Sequence, residues 1–268
     1  MTMHPRSLTV FALVLLSIGI TPLANAASTT LTGIVRDFQP GALVPGNTNP
    51  DFEIPVVIPS VVHGMVSSTL TGNAPTLVSS GAPGYVTSSA SFAQWFGPAA
   101  PSTTLTITLN ETSPGIYSYS NSAFFPIDGQ LLGNYAYGHN YHFTYQIAAT
   151  FGYTPGAGQT FNFSGDDDVW VFFDKKLGID LGGVHPTASQ SVNLDTLFGP
   201  GKAAGNYAFD FFFAERHTTA SNLMISTSLN LVTPPPVSPV PEPETYAMLL
   251  VGLGLLGFTA RRMGKFDC

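Results

Sequence analysis

From Phe161 to Phe173 the chain reads Phe-Asn-Phe-Ser-Gly-Asp-Asp-Asp-Val-Trp-Val-Phe-Phe. The first residues alternate between apolar and polar, and the last five are continuously apolar, so the pattern predicts two strands joined by a turn that holds three acids. Only 9% of all residues are charged, and the nearest bases in sequence, Lys175 and Lys176, follow the second strand. Such a cluster is stable when water solvates it, as in an ordinary aspartate turn, or when it holds a cation. An oxygen-only donor set favours Ca²⁺ before Mg²⁺.

The same alternation recurs through the middle of the chain and predicts half-buried antiparallel strands. The clearest examples are Leu105–Leu109, Phe143–Ile147, Tyr207–Phe213 and Leu223–Leu231. Gly- and Pro-containing turns separate them, and 20 Phe residues are available to fill a centre. We therefore predict an all-β fold, an antiparallel β-sandwich or flattened barrel, over residues 27–232. Val192–Leu197 is a candidate short helix, and Gly41–Gly84 is predicted to form long surface loops around one or two strands.

The N-terminus has the pattern of a secretory signal peptide, here a predicted signal helix over residues 1–26. Arg6 precedes the apolar segment Leu8–Ile20, and an A-x-A pattern ends at Ala26, after which cleavage is expected. The apolar core is too short for a typical membrane span.

The C-terminus contains a proline-rich linker, residues 233–244, followed by a predicted transmembrane sorting helix and basic tail, residues 245–268. The apolar segment Ala247–Ala260 would cross a bilayer only marginally, and Arg261-Arg262 places the tail in the cytoplasm. The linker motif Pro241-Glu242-Pro243, the apolar segment and the arginine pair together resemble the PEP-CTERM sorting signal.

That resemblance implies a Gram-negative bacterium and an exosortase that removes the tail near Pro241-Glu242-Pro243. The protein would pass through a transient inner-membrane anchor and be secreted to the cell surface or the exterior, commonly alongside exopolysaccharide. The alternative is an ordinary C-terminal anchor that stays attached.

Composition limits the partners. The net charge of −7 argues against nucleic acid or an anionic membrane surface and suits cations and neutral glycans. The single cysteine, Cys268, lies in the tail, so no disulfide supports the predicted domain.

Several stretches in a consistent order resemble the bacterial fibro-slime domain, which is similar to the protective-antigen-like β-barrel of flocculin lectins and bacterial adhesins. In that family two adjacent aspartates joined by a cis peptide hold a Ca²⁺ that ligates sugar hydroxyls, and a later loop adds an asparagine. The resemblance places these roles on Asp166, Asp167 and Asn222, with Asp168 as an additional acid and a departure from the family. A second departure is Asp174-Lys175-Lys176, where an Asn/Asp-Gly turn is expected. The matching stretches are Leu31–Phe38, Asn49–Glu53, Phe92–Phe96, Phe124–Gly129, His142–Tyr145, Phe163–Phe172, Asp180–His185, Ser191–Asp195 and Phe213–Thr218.

Four further residues are candidates for ligand binding. Glu215 and His217 lie on the same side of a predicted strand end, where they complete the metal shell or form a polar network. His185 follows a Gly-Gly turn and lines a site or packs on its neighbours. Trp170 stacks on a sugar or belongs to the core.

The function predicted from these features is Ca²⁺-dependent binding of carbohydrate, with exopolysaccharide as the expected partner. One alternative is a structural matrix protein in which the ion only stabilises the fold. Another is a polysaccharide hydrolase that uses Glu215 with one acid of the triplet. The sequence contains no G-x-S-x-G or H-E-x-x-H motif and no cysteine nucleophile, so we expect no enzyme.

Overall fold

The structure is a computed structural model that describes residues 27–41, 49–53, 60–78 and 85–234. The predicted signal helix, the transmembrane sorting helix and nearly all of the linker lie outside these residues. Within the described residues, no helix is long and apolar enough to span a membrane. The strands are β1 (Ser28–Asp37), β2 (Ser102–Ser113), β3 (Ile116–Asn121), β4 (Phe143–Tyr153), β5 (Thr160–Asp166), β6 (Asp168–Phe173), β7 (Lys176–Leu181), β8 (Ala188–Asn193), β9 (Gly205–Glu215), β10 (Asn222–Thr227) and β11 (Leu231–Val232). The helices are α1 (Ser89–Phe92) and α2 (Leu194–Phe198).

The strands form one antiparallel sheet that curls into a nearly closed barrel. Its order is β7-β6-β9-β4-β1-β2-β3-β10-β5-β8, and β11 pairs with β4. The two ends of this order meet where the Asp180 amide of β7 donates a hydrogen bond of 2.7 Å to Gln190 Oε1 of β8. The prediction of an all-β fold is confirmed, as is the short helix near Val192–Leu197.

The barrel has an aromatic interior and a second apolar core on its outer face. Strands β4, β5 and β9 turn alternate residues inward, among them Phe151, Phe163 and Phe211, because successive side chains of a strand face opposite ways. The outward residues of β6 and β9, such as Phe172 and Phe212, pack under a cover from the first third of the chain. Every residue of β6 is therefore buried.

The prediction for Gly41–Gly84 was only partly right. Its described residues form isolated bridges, such as Val66 to Leu77, and no strand. They do not lie on the surface as simple loops, because Phe52, Met65 and Leu70 are at most 2% exposed in the outer core. The segment lacks alternation because it covers one face of a sheet and does not extend a ladder.

Candidate functional site

Four strand ends converge at one end of the barrel. Asp166 ends β5 and lies opposite Asn222, the first residue of β10. Asp168 begins β6 and lies opposite Ala214 of β9, whose last residue is Glu215. Residues separated by about fifty positions in sequence are thus brought together by antiparallel pairing.

Asp166 is bound to the start of β10. Its Oδ1 accepts a hydrogen bond of 2.5 Å from the Asn222 amide nitrogen of the backbone, and its Oδ2 accepts one of 2.7 Å from Asn222 Nδ2. Thr187 Oγ1 donates to the same Oδ2 at 3.2 Å. The structure therefore places Asp166 and Asn222 side by side, as the resemblance implied.

Asp167 is nearly buried and accepts only backbone hydrogen bonds. The amides of His185 and Arg216 donate to its two oxygens at 3.2 Å each. Burial, with a smaller contribution from the neighbouring charge of Asp168, raises the pKa of Asp167 to about 8 against the opposing charge of Arg216. The peptide bond from Asp166 to Asp167 is cis, as the resemblance also implied.

Asp168 belongs to a buried ion pair. Arg216 Nε donates to its Oδ2 at 2.6 Å, and both side chains are 0% exposed. The Gly183 amide donates to the other oxygen at 2.6 Å. The base that neutralises Asp168 therefore lies just after β9 and is distant in sequence. The prediction of Asp168 as a metal ligand does not fit this geometry, since both oxygens of Asp168 accept hydrogen bonds away from the pocket.

Arg216 is held from several sides and was missed from the sequence as a key residue. Its guanidinium donates to the Asp51 and Tyr85 carbonyl oxygens at 3.0 and 2.8 Å and lies 4.6 Å from the ring of Trp95. The nearest sequence signal was its position in the Phe213–Thr218 stretch, to which no neutralising role was assigned.

Glu215 is buried beside the two pocket aspartates. Its side chain is 0% exposed, and the Ser221 hydroxyl and the His217 backbone amide approach its carboxyl. Burial and then the charges of Asp167 and Asp166 raise the pKa of Glu215 well above its usual value, and hydrogen bonds from Ser221 and the His217 amide offset this only in part. Glu215 lies behind the pocket and is not among the residues that line it.

Asp166, Asp167 and Asn222 open onto one pocket of about 420 Å³. His185 and His217 line its rim. His185 Nδ1 contacts the Pro186 carbonyl oxygen at 2.8 Å, and its buried Nε2 has no partner among the described residues. The other lining residues are Val184, Pro186, Thr187, Thr218, Thr219 and Ala220.

Trp170 is not part of this pocket. It is 0% exposed in the outer core, with ring centroids 5.6 Å from Phe92 and 6.2 Å from Trp95. The stacking alternative for Trp170 is therefore wrong and the core alternative is confirmed, because the covering segment excludes any ligand.

Glu53 was also missed, and it ties the pocket rim to the covering segment. Its Oε2 accepts from His142 Nε2 at 2.9 Å and from the Thr218 amide at 3.2 Å, and Thr218 Oγ1 donates to its Oε1 at 3.1 Å. His217 Nε2 lies 3.6 Å from the same Oε1. Burial raises the pKa of Glu53, but the hydrogen bond from His142 and the charge of His217 bring it below its usual value.

The donor set of the pocket is oxygen-rich and small. Across the described ranges, no group of three or more His, Cys, Asp or Glu side chains has the spacing of a metal site. The carboxylates of Asp166 and Asp167 and the side-chain amide of Asn222 supply oxygens of the kind that Ca²⁺ accepts.

Comparisons with known proteins find matches for the C-terminal segment and for the part of the chain that holds the pocket. Residues 239–262 match the PEP-CTERM protein-sorting motif, and residues 127–243, which include the pocket aspartates and Asn222, match the PA14 domain model. PEP-CTERM motifs mark exported proteins that are anchored transiently at the membrane and sorted by an exosortase. PA14 domains are typically carbohydrate-binding or adhesion domains.

Curated relatives come from Dictyostelium discoideum. The protein psiQ is 39% identical over 245 residues, covering 84% of this chain and 24% of psiQ. The protein psiC is 40% identical over 237 residues, covering 81% of this chain and 44% of psiC. The chain thus spans less than half the length of these relatives. No solved structure matches it. The fibro-slime assignment stays a prediction, whereas the chain matches the PEP-CTERM sorting motif, matches the PA14 domain model over less than half of its length, and has the psi proteins as homologues.

Proposed function

We propose that this exported protein binds extracellular carbohydrate through a Ca²⁺ ion held by Asp166 and Asp167, with Asn222 as a third ligand. The observation that carries the proposal is the convergence of two carboxylates and one amide on a single open pocket. In the described part of the chain, neither aspartate forms an ion pair, because the guanidinium of Arg216 is committed to Asp168.

The electrostatics of the pocket favour a cation. A carboxylate that is buried beside other acids is destabilised in its charged form, which is why the pKa of Asp167 is raised to about 8. A divalent cation reverses that penalty and is bound most tightly when the acids are deprotonated. Asn222 now donates its NH₂ group to Asp166, so binding requires its amide to turn its oxygen toward the ion.

The open side of the pocket explains how such an ion would recognise sugar. Ca²⁺ takes six to eight oxygen ligands, more than two aspartates and one asparagine supply. The remaining positions face solvent, where water or neighbouring hydroxyls of a sugar ring can occupy them. The PA14 match and the sorting motif support the same function, with exopolysaccharide at the cell surface of a Gram-negative bacterium as the proposed partner.

The test is a calcium titration of the purified protein, followed by glycan retention in Ca²⁺ and in EDTA. At a free calcium concentration one hundred times Kd, the ion should add about 2.7 kcal/mol to the unfolding free energy. For a domain of this size that corresponds to a Tm increase of about 5–11 °C. The double variant Asp166→Asn, Asp167→Asn should lose both responses. Glu111→Gln, which removes one half-buried charge near the end of β2, outside the pocket lining, is the control. Equal Tm and equal glycan retention in Ca²⁺ and EDTA would overturn the proposal.

The same variants separate the second candidate, a matrix protein in which the ion only stabilises the fold. The buried carboxyl of Glu215 favours an ion in that role, because it lies beside the charges of Asp167 and Asp166 and a bound cation would offset the repulsion among the three acids. Calcium-dependent stability without any glycan retention would support the structural role.

We also propose that the protein is not a hydrolase. A glycosidase needs two carboxyl groups that flank the scissile bond. Glu215 is 0% exposed and lies outside the pocket lining, so it has no access to such a bond. Release of reducing ends from a polysaccharide, abolished by Glu215→Gln, would contradict this.

A further inference from the structure

A cluster of aromatic rings lies on the surface in the connection between β3 and β4, residues 122–142. Phe125 stacks on His139 with centroids 4.0 Å apart and planes 8° apart, and Tyr141 meets Phe125 edge-on at 5.1 Å. Tyr137 lies 6.1 Å from Tyr141. None of the four belongs to either apolar core, and all remain half-buried or exposed. We call these four residues the aromatic platform.

Polar contacts hold the aromatic platform in place without burying it. Asp128 Oδ2 contacts His139 Nδ1 at 2.6 Å, and its Oδ1 accepts from the Asn140 amide at 2.7 Å. Asn140 Nδ2 in turn donates to Asp37 Oδ1 at 2.9 Å, which anchors the connection to β1. Rings fixed in this way lose little conformational entropy when a ligand covers them.

The platform lies at the same end of the barrel as the pocket, because β3 ends at Asn121 opposite Leu223 of β10 and β4 begins at Phe143 opposite Glu215 of β9. Interior contacts also link the two: Tyr137 packs 5.3 Å from the ring of His142, and Glu53 accepts from both His142 and Thr218 of the pocket lining. The Phe124 amide also donates to the Ser221 carbonyl oxygen at 2.9 Å, which joins the backbone beside Phe125 to the backbone beside Asn222. A ligand that extends from the pocket over the connection of residues 122–142 would meet the aromatic rings.

We propose that the aromatic platform is a second carbohydrate subsite, which stacks a sugar ring of the same glycan chain whose hydroxyls reach the calcium pocket. This rests on the proposed function. The apolar face of a pyranose presents C–H groups, which match the electron-rich face of an aromatic ring. Asp128 at the platform and the net charge of −7 disfavour uronic acids, so the ligand is a neutral oligosaccharide of several units.

The test compares a neutral monosaccharide with the corresponding tetrasaccharide by calorimetry in Ca²⁺. We expect the tetrasaccharide to bind wild-type protein about tenfold more tightly, a factor in the range of aromatic contacts. Tyr141→Leu keeps an apolar side chain but removes the ring, and should reduce the tetrasaccharide affinity to that of the monosaccharide. His139→Ala, in an exposed position, is a second variant that should weaken the same step. Tyr207→Leu, half-buried near the other end of β9, is the matched control and should change neither affinity.

The outcomes separate the two proposals. Calcium-dependent binding without a length effect, or with a length effect that Tyr141→Leu and His139→Ala leave unchanged, overturns the platform alone. Tetrasaccharide binding that needs Tyr141 but not Ca²⁺ supports the platform and overturns the calcium-dependent function. If no neutral sugar binds in Ca²⁺ or in EDTA, both are overturned.

Discussion

Replacement of Arg216 by methionine should lower stability severely without touching the pocket side chains. The guanidinium is the counter-charge of Asp168, at 2.6 Å, with both side chains 0% exposed. After Arg216→Met, Asp168 keeps only the Gly183 amide as a partner, and it must stay charged in the core or take up a proton. Methionine retains most of the apolar stem, so the loss reports the charge and its hydrogen bonds.

The expected magnitude follows from burial. Removing one partner of a buried ion pair costs about 3–5 kcal/mol, because the other charge is left uncompensated. In a domain of this size that cost lowers Tm by about 6–20 °C. The half-exposed pair of Lys202 with Asp174 provides the control, and Lys202→Met should cost less than about 1 kcal/mol.

Urea unfolding at pH 7 measures these differences, and a second substitution makes the reasoning refutable. Asp168→Asn in the Arg216→Met background removes the stranded charge and keeps an acceptor for the Gly183 amide. The double variant should therefore regain about half of the lost free energy. A single variant as mild as Lys202→Met, or a double variant no more stable than the single one, would show that Asp168 does not depend on Arg216.

Three further outcomes are expected. Without calcium, the unfolding free energy should fall by up to about 1.4 kcal/mol per pH unit as the pH rises from about 4 to 8. Folding raises the pKa of Asp167 from 3.8 to about 8, so in this range the folded state holds a proton that the unfolded chain releases. Urea midpoints in EDTA that do not change with pH would contradict this. Gly165→Ala places a Cβ 2.3 Å from the Asn222 carbonyl oxygen, so it should lower the unfolding free energy in urea by about 1–3 kcal/mol and weaken calcium binding. Wild-type behaviour in both assays would show that the two strands can move apart without cost. Glu53→Gln should lower the unfolding free energy by about 1–2 kcal/mol near neutral pH, and this cost should shrink below pH 4.5. Burial raises the pKa of Glu53, but the hydrogen bond from His142 and the charge of His217 bring the pKa below its usual value of 4.5, so the acid stabilises the fold only while it is ionised. A cost that is constant from pH 7 to pH 3 would argue against this.

The barrel could be predicted because its strands bury only one face over much of their length. In β2 and β4 the alternation of apolar and polar residues survives in the sequence, and both lie where the pattern placed them. Strand β6 was predicted as apolar throughout, but the local sequence does not reveal why its outer face is buried as well as its inner face. Trp170 is covered by a segment that carries no periodicity, so its environment could not be derived from its own neighbours.

The candidate site was predictable only where the resemblance reached. Asp166, Asp167 and Asn222 come together as it implied, and the acids are adjacent in sequence. The ion pair of Asp168 with Arg216 was not predicted, because the two residues are 48 positions apart and meet only through the pairing of β6 with β9. Local charge counting treats the triplet as three equivalent acids, whereas the sheet gives each a different partner.

The two contacts of Arg216, one through its side chain and one through its backbone, couple the pocket to the core. The side chain of Arg216 neutralises Asp168 inside the protein, while its backbone amide donates to Asp167 at the pocket. The residues on either side, Glu215 and His217, therefore cannot shift without disturbing both. Any ion held at Asp166 and Asp167 would bind a carboxylate whose position is set by a buried ion pair, so its affinity should depend on the integrity of the outer core and not only on the pocket side chains. Such coupling is the physical reason why calcium affinity and global stability should change together in the Arg216 variants, even though no substituted side chain lines the pocket.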